Sequence, residues 1–128
     1  MSHTLHNVGV SKQIGKYSDA VETEAGLRWL YTAGTPGLSP DGKLSEDFEE
    51  QARQTWENLV TVLKEAGMGL EDIVKVNTSM TNATDIPSYV KVRSSFMGDL
   101  RPAFMLSIVN QLVKPEFLVE VEIIAAKR

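Results

Sequence analysis

The chain has 128 residues, a mass of 14.1 kDa, a formal net charge of -4 and no cysteine. One domain of this size buries about two thirds of its unfolded surface around a single core, and without cysteine it can hold no disulfide, thiolate metal site or cysteine nucleophile. Acids and bases are interspersed, and the nearest thing to a basic cluster is Lys91 with Arg93, which tells against nucleic acid because phosphate binding needs a concentrated basic face.

No apolar run approaches the roughly 20 residues of a membrane span, and the opening MSHTLHNVGV has neither the basic nor the apolar region of a secretory leader. A cytoplasmic protein with no membrane contact is the expectation. His3 and His6 fall in this opening segment, which is expected to be mobile. Only Asn7 lies beside them, and a metal site needs two or three converging ligands, so no metal is expected.

YSDAVETE (17–24) and LRWLYTAG (27–34) are short β-favouring segments that predict a hairpin turning at Gly26. TPGLSPDGK is a loop. Ser45 predicts an N-cap, with Glu46, Asp47, Glu49 and Glu50 at the positive end of the helix dipole. Phe48, Ala52, Trp56, Leu59, Val60 and Leu63 then recur at helical spacing up to Gly67. Residues 72–81 predict a strand with Ile73, Lys75 and Asn77 on one side and Val74, Val76 and Thr78 on the other. A second helix is expected from Asp85 to Gly98, capped by Thr84 or Asp85, with Pro87 in its first turn and Tyr89, Val92 and Phe96 on one face. Strands over 103–109 and 117–125 complete the order ββαβαββ, an α+β domain with two helices on one sheet face. The other face carries Leu118 and Ile124, with Leu30, Ala33 and Leu106 elsewhere. So much apolar sheet is rarely left in water, which predicts self-association as a closed ring.

Five pieces in order carry a resemblance: IGKYSDAV (14–21), LYTAG (30–34), the segment 49–82, the PA of 102 and 103, and LVEVEIIA (118–125). Through them the chain resembles the Rid family, also called YjgF/YER057c/UK114. The resemblance implies a chorismate-mutase-like fold with a mixed sheet, a homotrimer whose sheets form an inner barrel, and ligand clefts between subunits. It also implies cofactor-free hydrolysis of reactive enamines or imines such as 2-aminoacrylate. QLVKPEFLVE is similar to the branch that acts on aminoacrylate in uracil degradation. Three positions depart from the family pattern. PAF replaces PAR, so Phe104 stands where an arginine fork would hold a substrate carboxylate, and Phe offers no donor. TAG replaces TSG, placing Ala33 beside Thr32, and Val90 replaces an Asn of the second helix.

Glu120 and Glu122 share a strand face. Carboxylates in such places are ordinarily solvated or ion-paired; the resemblance implies that Glu120 handles water or a proton at an imine, while Glu122 keeps the ordinary role. By the same resemblance Tyr17, Thr32, Ala33, Gly34 and Phe104 line the cleft. Buried Tyr ordinarily packs, and Thr in a strand ordinarily reflects β-propensity. Arg101 is the cation nearest in sequence to the missing fork and either reaches a ligand carboxylate or sits in a surface loop, as does Arg28. Trp56 is expected in the core, while Trp29 fits either face. Two functions follow as expectations: a diverged enamine or imine deaminase acting on a small metabolic intermediate, or a trimer that binds a small molecule or a partner without catalysis.

Overall fold

The computed structural model describes residues 3–128. Its elements in chain order are β1 (Thr4–His6), β2 (Ala20–Glu22), β3 (Arg28–Tyr31), β4 (Thr35–Pro36), α1 (Phe48–Glu65), β5 (Ile73–Met80), α2 (Ile86–Met97), β6 (Ala103–Ile108) and β7 (Val119–Lys127). The main sheet runs β3-β7-β5-β6, with β4 also on β7. β5 and β6 are parallel, as a helical crossover through α2 requires, and the remaining pairs are antiparallel. The α+β class, the two helices and the mixed sheet are those expected.

The first hairpin is not. β2 pairs with β1, bringing Leu5 opposite Val21, whereas β3 pairs with β7. Gly26 does turn the chain, at φ +79°, but it redirects it from a small outer sheet into the main one. Residues 4–6 of the opening segment expected to be mobile are thereby paired, strand to strand, with residues 20–22. His3 Nε2 meets the Asp72 carbonyl at 3.2 Å and His6 Nε2 meets Glu22 at 2.8 Å.

The helix caps shift by local competition. Ser45 Oγ accepts from the Asp47 amide, and Asp47 is the true cap of α1, accepting from the Glu50 amide at 3.0 Å. Before α2, Asn82 accepts from the Thr84 amide and caps a short 3-10 turn, so neither Thr84 nor Asp85 caps α2 by its side chain. In β5 a register shift between Ile73 and Lys75 turns Ile73 onto the buried side with Val76, Thr78 and Met80, against the simple alternation.

The core lies between the helices and one sheet face. Ala52, Trp56, Leu59 and Leu63 of α1 and Tyr89 and Val92 of α2 cover Val76, Met80, Val119, Val121 and Ile123, all at most 1 % exposed. Leu30 and Leu106 also pack on this side. On the uncovered face the register aligns Tyr31 with Ile124, Glu122 with Asn77, and Asn77 with Met105. Trp29, Tyr31 and Met105 supply its apolar surface; the two rings of β3 stack at 6.2 Å. No described helix is long and apolar enough to cross a membrane.

Candidate functional site

On the helix side, a cleft of about 580 Å³ opens between the edge strand β6, the N-terminal half of α2 and the loop before β2. Its walls are apolar: Ile14, Ile86, Val90, Phe104 and Leu106. Tyr17 reaches it because Ser18 adds to the β6 edge as a parallel bridge to Ala103, donating its amide to the Pro102 carbonyl at 3.1 Å. That bridge sets the Tyr17 and Phe104 rings edge to face at 6.1 Å. Two cations border the cleft, Lys16 exposed at the loop and Arg93 set into the wall. Arg93 is only 8 % exposed, and its guanidinium lies 4.4 Å from the Phe104 ring centre and 5.8 Å from that of Tyr89. Burial pulls its pKa below the ordinary arginine value, with the nearby Arg101 acting in the same direction, although a guanidinium remains charged at neutral pH.

The other half of the site is on the uncovered face. There β3 and β4 follow β7 with a one-residue offset: Tyr31 opposes Ile124, but Thr35 opposes Val121. Ala33 and Gly34 therefore face Glu122 together, a β-bulge. Gly34 is needed because the Glu120 carboxylate occupies the space a Cβ would fill. Glu120 is half-buried and borders a cleft of about 190 Å³ with Asn77, Ser79 and Glu122; among the described residues no hydrogen bond holds its carboxylate. Exposed Glu122 instead accepts from Asn77 Nδ2 at 3.0 Å. Two carboxylates on one strand face thus differ in kind: one is tied, the other available. Met105 borders both clefts.

The endoribonuclease L-PSP family profile matches residues 10–127. A RutC family protein of Pyrococcus horikoshii is 32 % identical over 129 residues, covering 99 % of each chain. The chain belongs to the Rid family. A Rid family structure from Yersinia pestis superposes with a TM-score of 0.87 at 27 % identity, covering 99 % of this chain and 100 % of that one. A 2-iminobutanoate/2-iminopropanoate deaminase of Salmonella typhimurium is 25 % identical over 131 residues and the full length of both chains.

Within this Rid chain the residues named from sequence fall into two groups. Tyr17 and Phe104 meet in the helix-side cleft, whereas Ala33, Gly34 and Glu120 gather at the bulge. Thr32 is engaged in the backbone, its Oγ1 accepting from the Ile123 amide at 2.9 Å while its own amide donates to the Ile123 carbonyl. Arg101 donates to the carbonyls of Gly98 and Leu100 at 2.7 and 2.9 Å, closing the end of α2, and borders a separate groove with Tyr17 and Ser18. Arg28 donates to the Ala66 carbonyl at the end of α1. Among the described residues no group of three or more His, Asp or Glu could hold a metal.

Arg93 is the site residue that sequence reasoning passed over, since with Lys91 it makes the nearest thing to a basic cluster. Residues two apart on a helix point to different sides. Lys91 reaches outward to Glu49 at 3.2 Å, while Arg93 completes the stripe Tyr89, Val92, Phe96 at the i+3 and i+4 spacing of the buried face. That spacing was the available signal.

Proposed function

We propose that the chain is a Rid-type hydrolase of an imine or enamine acid, working in clefts completed between copies of a homotrimer. The observation that carries this reading is the division of the site. Phe104 aligns with buried Val76 and so faces the helices, whereas Glu120 aligns with Ser79 on the uncovered face. Alternation puts these side chains on opposite sides of one sheet, which supports a ligand that touches both lying between two copies. The edge strand β6 and exposed Met105 are where such copies would meet.

Glu120 then takes a proton from a water attacking the imine carbon. As the O–C bond forms, the C=N π pair moves to nitrogen, which is protonated; the C–N bond of the resulting carbinolamine breaks with a second proton transfer, leaving a carbonyl and ammonia. A positioned carboxylate contributes about 10²- to 10⁴-fold to such a step, and one without a protein hydrogen bond is free to act. The full-length similarity to an iminobutanoate deaminase supports the same chemistry.

A second reading, binding without turnover, is favoured by Phe104, which removes the family's arginine fork. An amino-acid oxidase generating imino acids in situ from leucine or phenylalanine, with semicarbazide competing for them, separates the two. The hydrolase reading expects the wild-type chain to suppress semicarbazone formation, Glu120→Gln to lose this by about 100-fold or more, and Glu122→Gln to retain it. No suppression by the wild-type chain, or equal loss in both variants, leaves the binding reading.

A further inference from the structure

Arg93 is a largely buried side chain whose guanidinium nitrogens have no counter-charge and open onto the cleft rather than being sealed in the core. Among the described residues no carboxylate pairs with it and no carbonyl accepts from its five donors; its close partners are the π faces of Phe104 and Tyr89. Buried charges ordinarily carry a partner, because stripping water from an ion costs more than packing returns. An aromatic face offsets part of that cost and leaves the in-plane N–H donors unoccupied. The guanidinium lies in the wall of the 580 Å³ cleft, the remaining walls of which are mainly aliphatic and aromatic. A cavity of that volume is in the range of small-molecule sites, where few polar groups fix orientation among apolar contacts.

We propose that Arg93 is the anion anchor of this cleft, seated on Phe104, and that the ligand is a monocarboxylate bearing a bulky apolar tail, branched aliphatic or aryl. The unpaired donors match a carboxylate in two parallel hydrogen bonds. The wall formed by Ile14, Ile86, Val90 and Leu106 offers apolar surface for a tail to cover and no side-chain hydrogen-bond partner. A two- or three-carbon acid would bind the anchor and leave most of that surface wet. Phe104 therefore has a positive role. It cannot donate, but it holds flat a cation delivered from α2 instead of β6.

The inference rests on the proposed function for the location of the site and not for its chemistry, and binding tests it without turnover. Calorimetry on the intact assembly compares phenylpyruvate and 4-methyl-2-oxopentanoate with pyruvate, and 3-phenylpropanoate with its neutral amide. The expected result is that the bulky acids bind about 10- to 100-fold more tightly than pyruvate and that the amide loses a similar factor. Arg93→Gln removes the preference for acid over amide, and Arg93→Lys recovers part of it. Phe104→Leu, which keeps apolar volume but not the π face, weakens acid binding while leaving the tail preference. Thermal melts and light scattering establish that each variant folds and assembles. Equal affinity of acid and amide for the wild-type chain, or no binding by either, overturns the proposal, and this includes the case in which a carboxylate of a second copy already neutralises Arg93. Glu120→Gln separates the two readings: acid binding retained with hydrolysis lost supports both, and acid binding without wild-type hydrolysis removes only the catalytic one.

Discussion

The Glu120 carboxylate rests on the bare Cα of Gly34, held there by a bulge in which Ala33 and Gly34 together oppose Glu122. The backbone of Gly34 is not in the left-handed region, so its lack of a side chain is a matter of space and not of conformation. Gly34→Ala must therefore push Glu120 aside. The carboxylate end is flexible and can yield, and alanine restricts the unfolded chain by about 0.4–1 kcal/mol in its favour. The expected outcome is a thermal midpoint within a few degrees of wild type and a loss of imine hydrolysis comparable to that of Glu120→Gln. Wild-type turnover in Gly34→Ala would mean that the carboxylate does not act from this position.

What the sequence made legible was whatever depends on periodicity. The long helix followed from Phe48, Ala52, Trp56 and Leu59 at helical spacing, and the last strand from Val119, Val121 and Ile123 alternating with Glu120 and Glu122. What stayed hidden depends on register between distant segments. Nothing local in LRWLYTAG says that it pairs with the C-terminal strand and not with YSDAVETE, since both partners offer compatible β-propensity. The bulge at Ala33 and Gly34 is a one-residue offset against a strand about 90 residues away, and the seating of Arg93 on Phe104 joins a helix to a strand. Tyr17 and Phe104 could be named from a motif, but their contact needed the Ser18 bridge to the β6 edge.

Gln51 is a structural polar group whose loss should be expensive. It is 1 % exposed; its Nε2 donates to the carbonyls of Ser45 and Glu116 at 2.8 and 3.0 Å, and its Oε1 accepts from the Leu118 amide at 2.9 Å. These bonds fasten the entry to β7, and hence Glu120, to α1. Gln51→Ala strands three backbone groups and should cost about 2–4 kcal/mol in urea unfolding. Gln51→Glu should be no milder, because it sets a second acceptor against two carbonyls. A change below about 1 kcal/mol would show that water replaces the amide at no loss.

The loop that brings Tyr17 to the cleft is organised by Asp19, which accepts from the amides of Val8 and Ser11, each at 2.7 Å. These backbone donors, Val8 first, hold its pKa below the ordinary carboxylate value. A depressed folded pKa contributes stability above the unfolded value of about 3.9, and that contribution is lost as pH falls through the folded value. Residues 7–19 should accordingly loosen below about pH 4, before the core unfolds, and Asp19→Asn should show the loosened loop at neutral pH. Amide exchange of Val8 and Ser11 against pH reads this directly; protection that is flat from pH 6 to 3 would remove Asp19 from the role.

Small substrates should be poor ones. 2-Aminoacrylate has a carboxylate but no tail for the apolar cleft, and Phe104 offers it no donor. Its hydrolysis should be slower than that of a leucine- or phenylalanine-derived imine by about tenfold or more, since burying even two methylenes is worth about 1.6 kcal/mol. Phe104→Arg should raise aminoacrylate turnover while displacing Arg93 by like-charge repulsion, so that the bulky substrates lose what the small one gains. Equal rates on small and bulky imines would remove the tail as a determinant.

The final expectation concerns assembly, on which a divided site depends. In a single chain Tyr31 is 68 % exposed, Met105 53 % and Trp29 45 %, all on the sheet face opposite the helices. Trp29, Tyr31 and Ile124 form an apolar patch at one edge of that face, while Met105 lies at the other edge beyond Glu122 and Asn77; exposed aromatic patches of this kind mark interfaces. Closed rotational symmetry satisfies every copy equally, and light scattering should return three times 14.1 kDa. Tyr31→Glu places a charge in the aromatic patch on the edge strand β3, where no described cation stands directly opposite, since its partner across the ladder is Ile124. The side chain is mostly exposed within one chain, so the variant should keep its helix and sheet content by circular dichroism. It should nevertheless sediment as a monomer and lose imine hydrolysis, because Arg93 and Glu120 then belong to half-sites that no longer meet. A Tyr31→Glu chain that remains trimeric would place the interface elsewhere, and a monomer with full hydrolysis would show that one copy suffices.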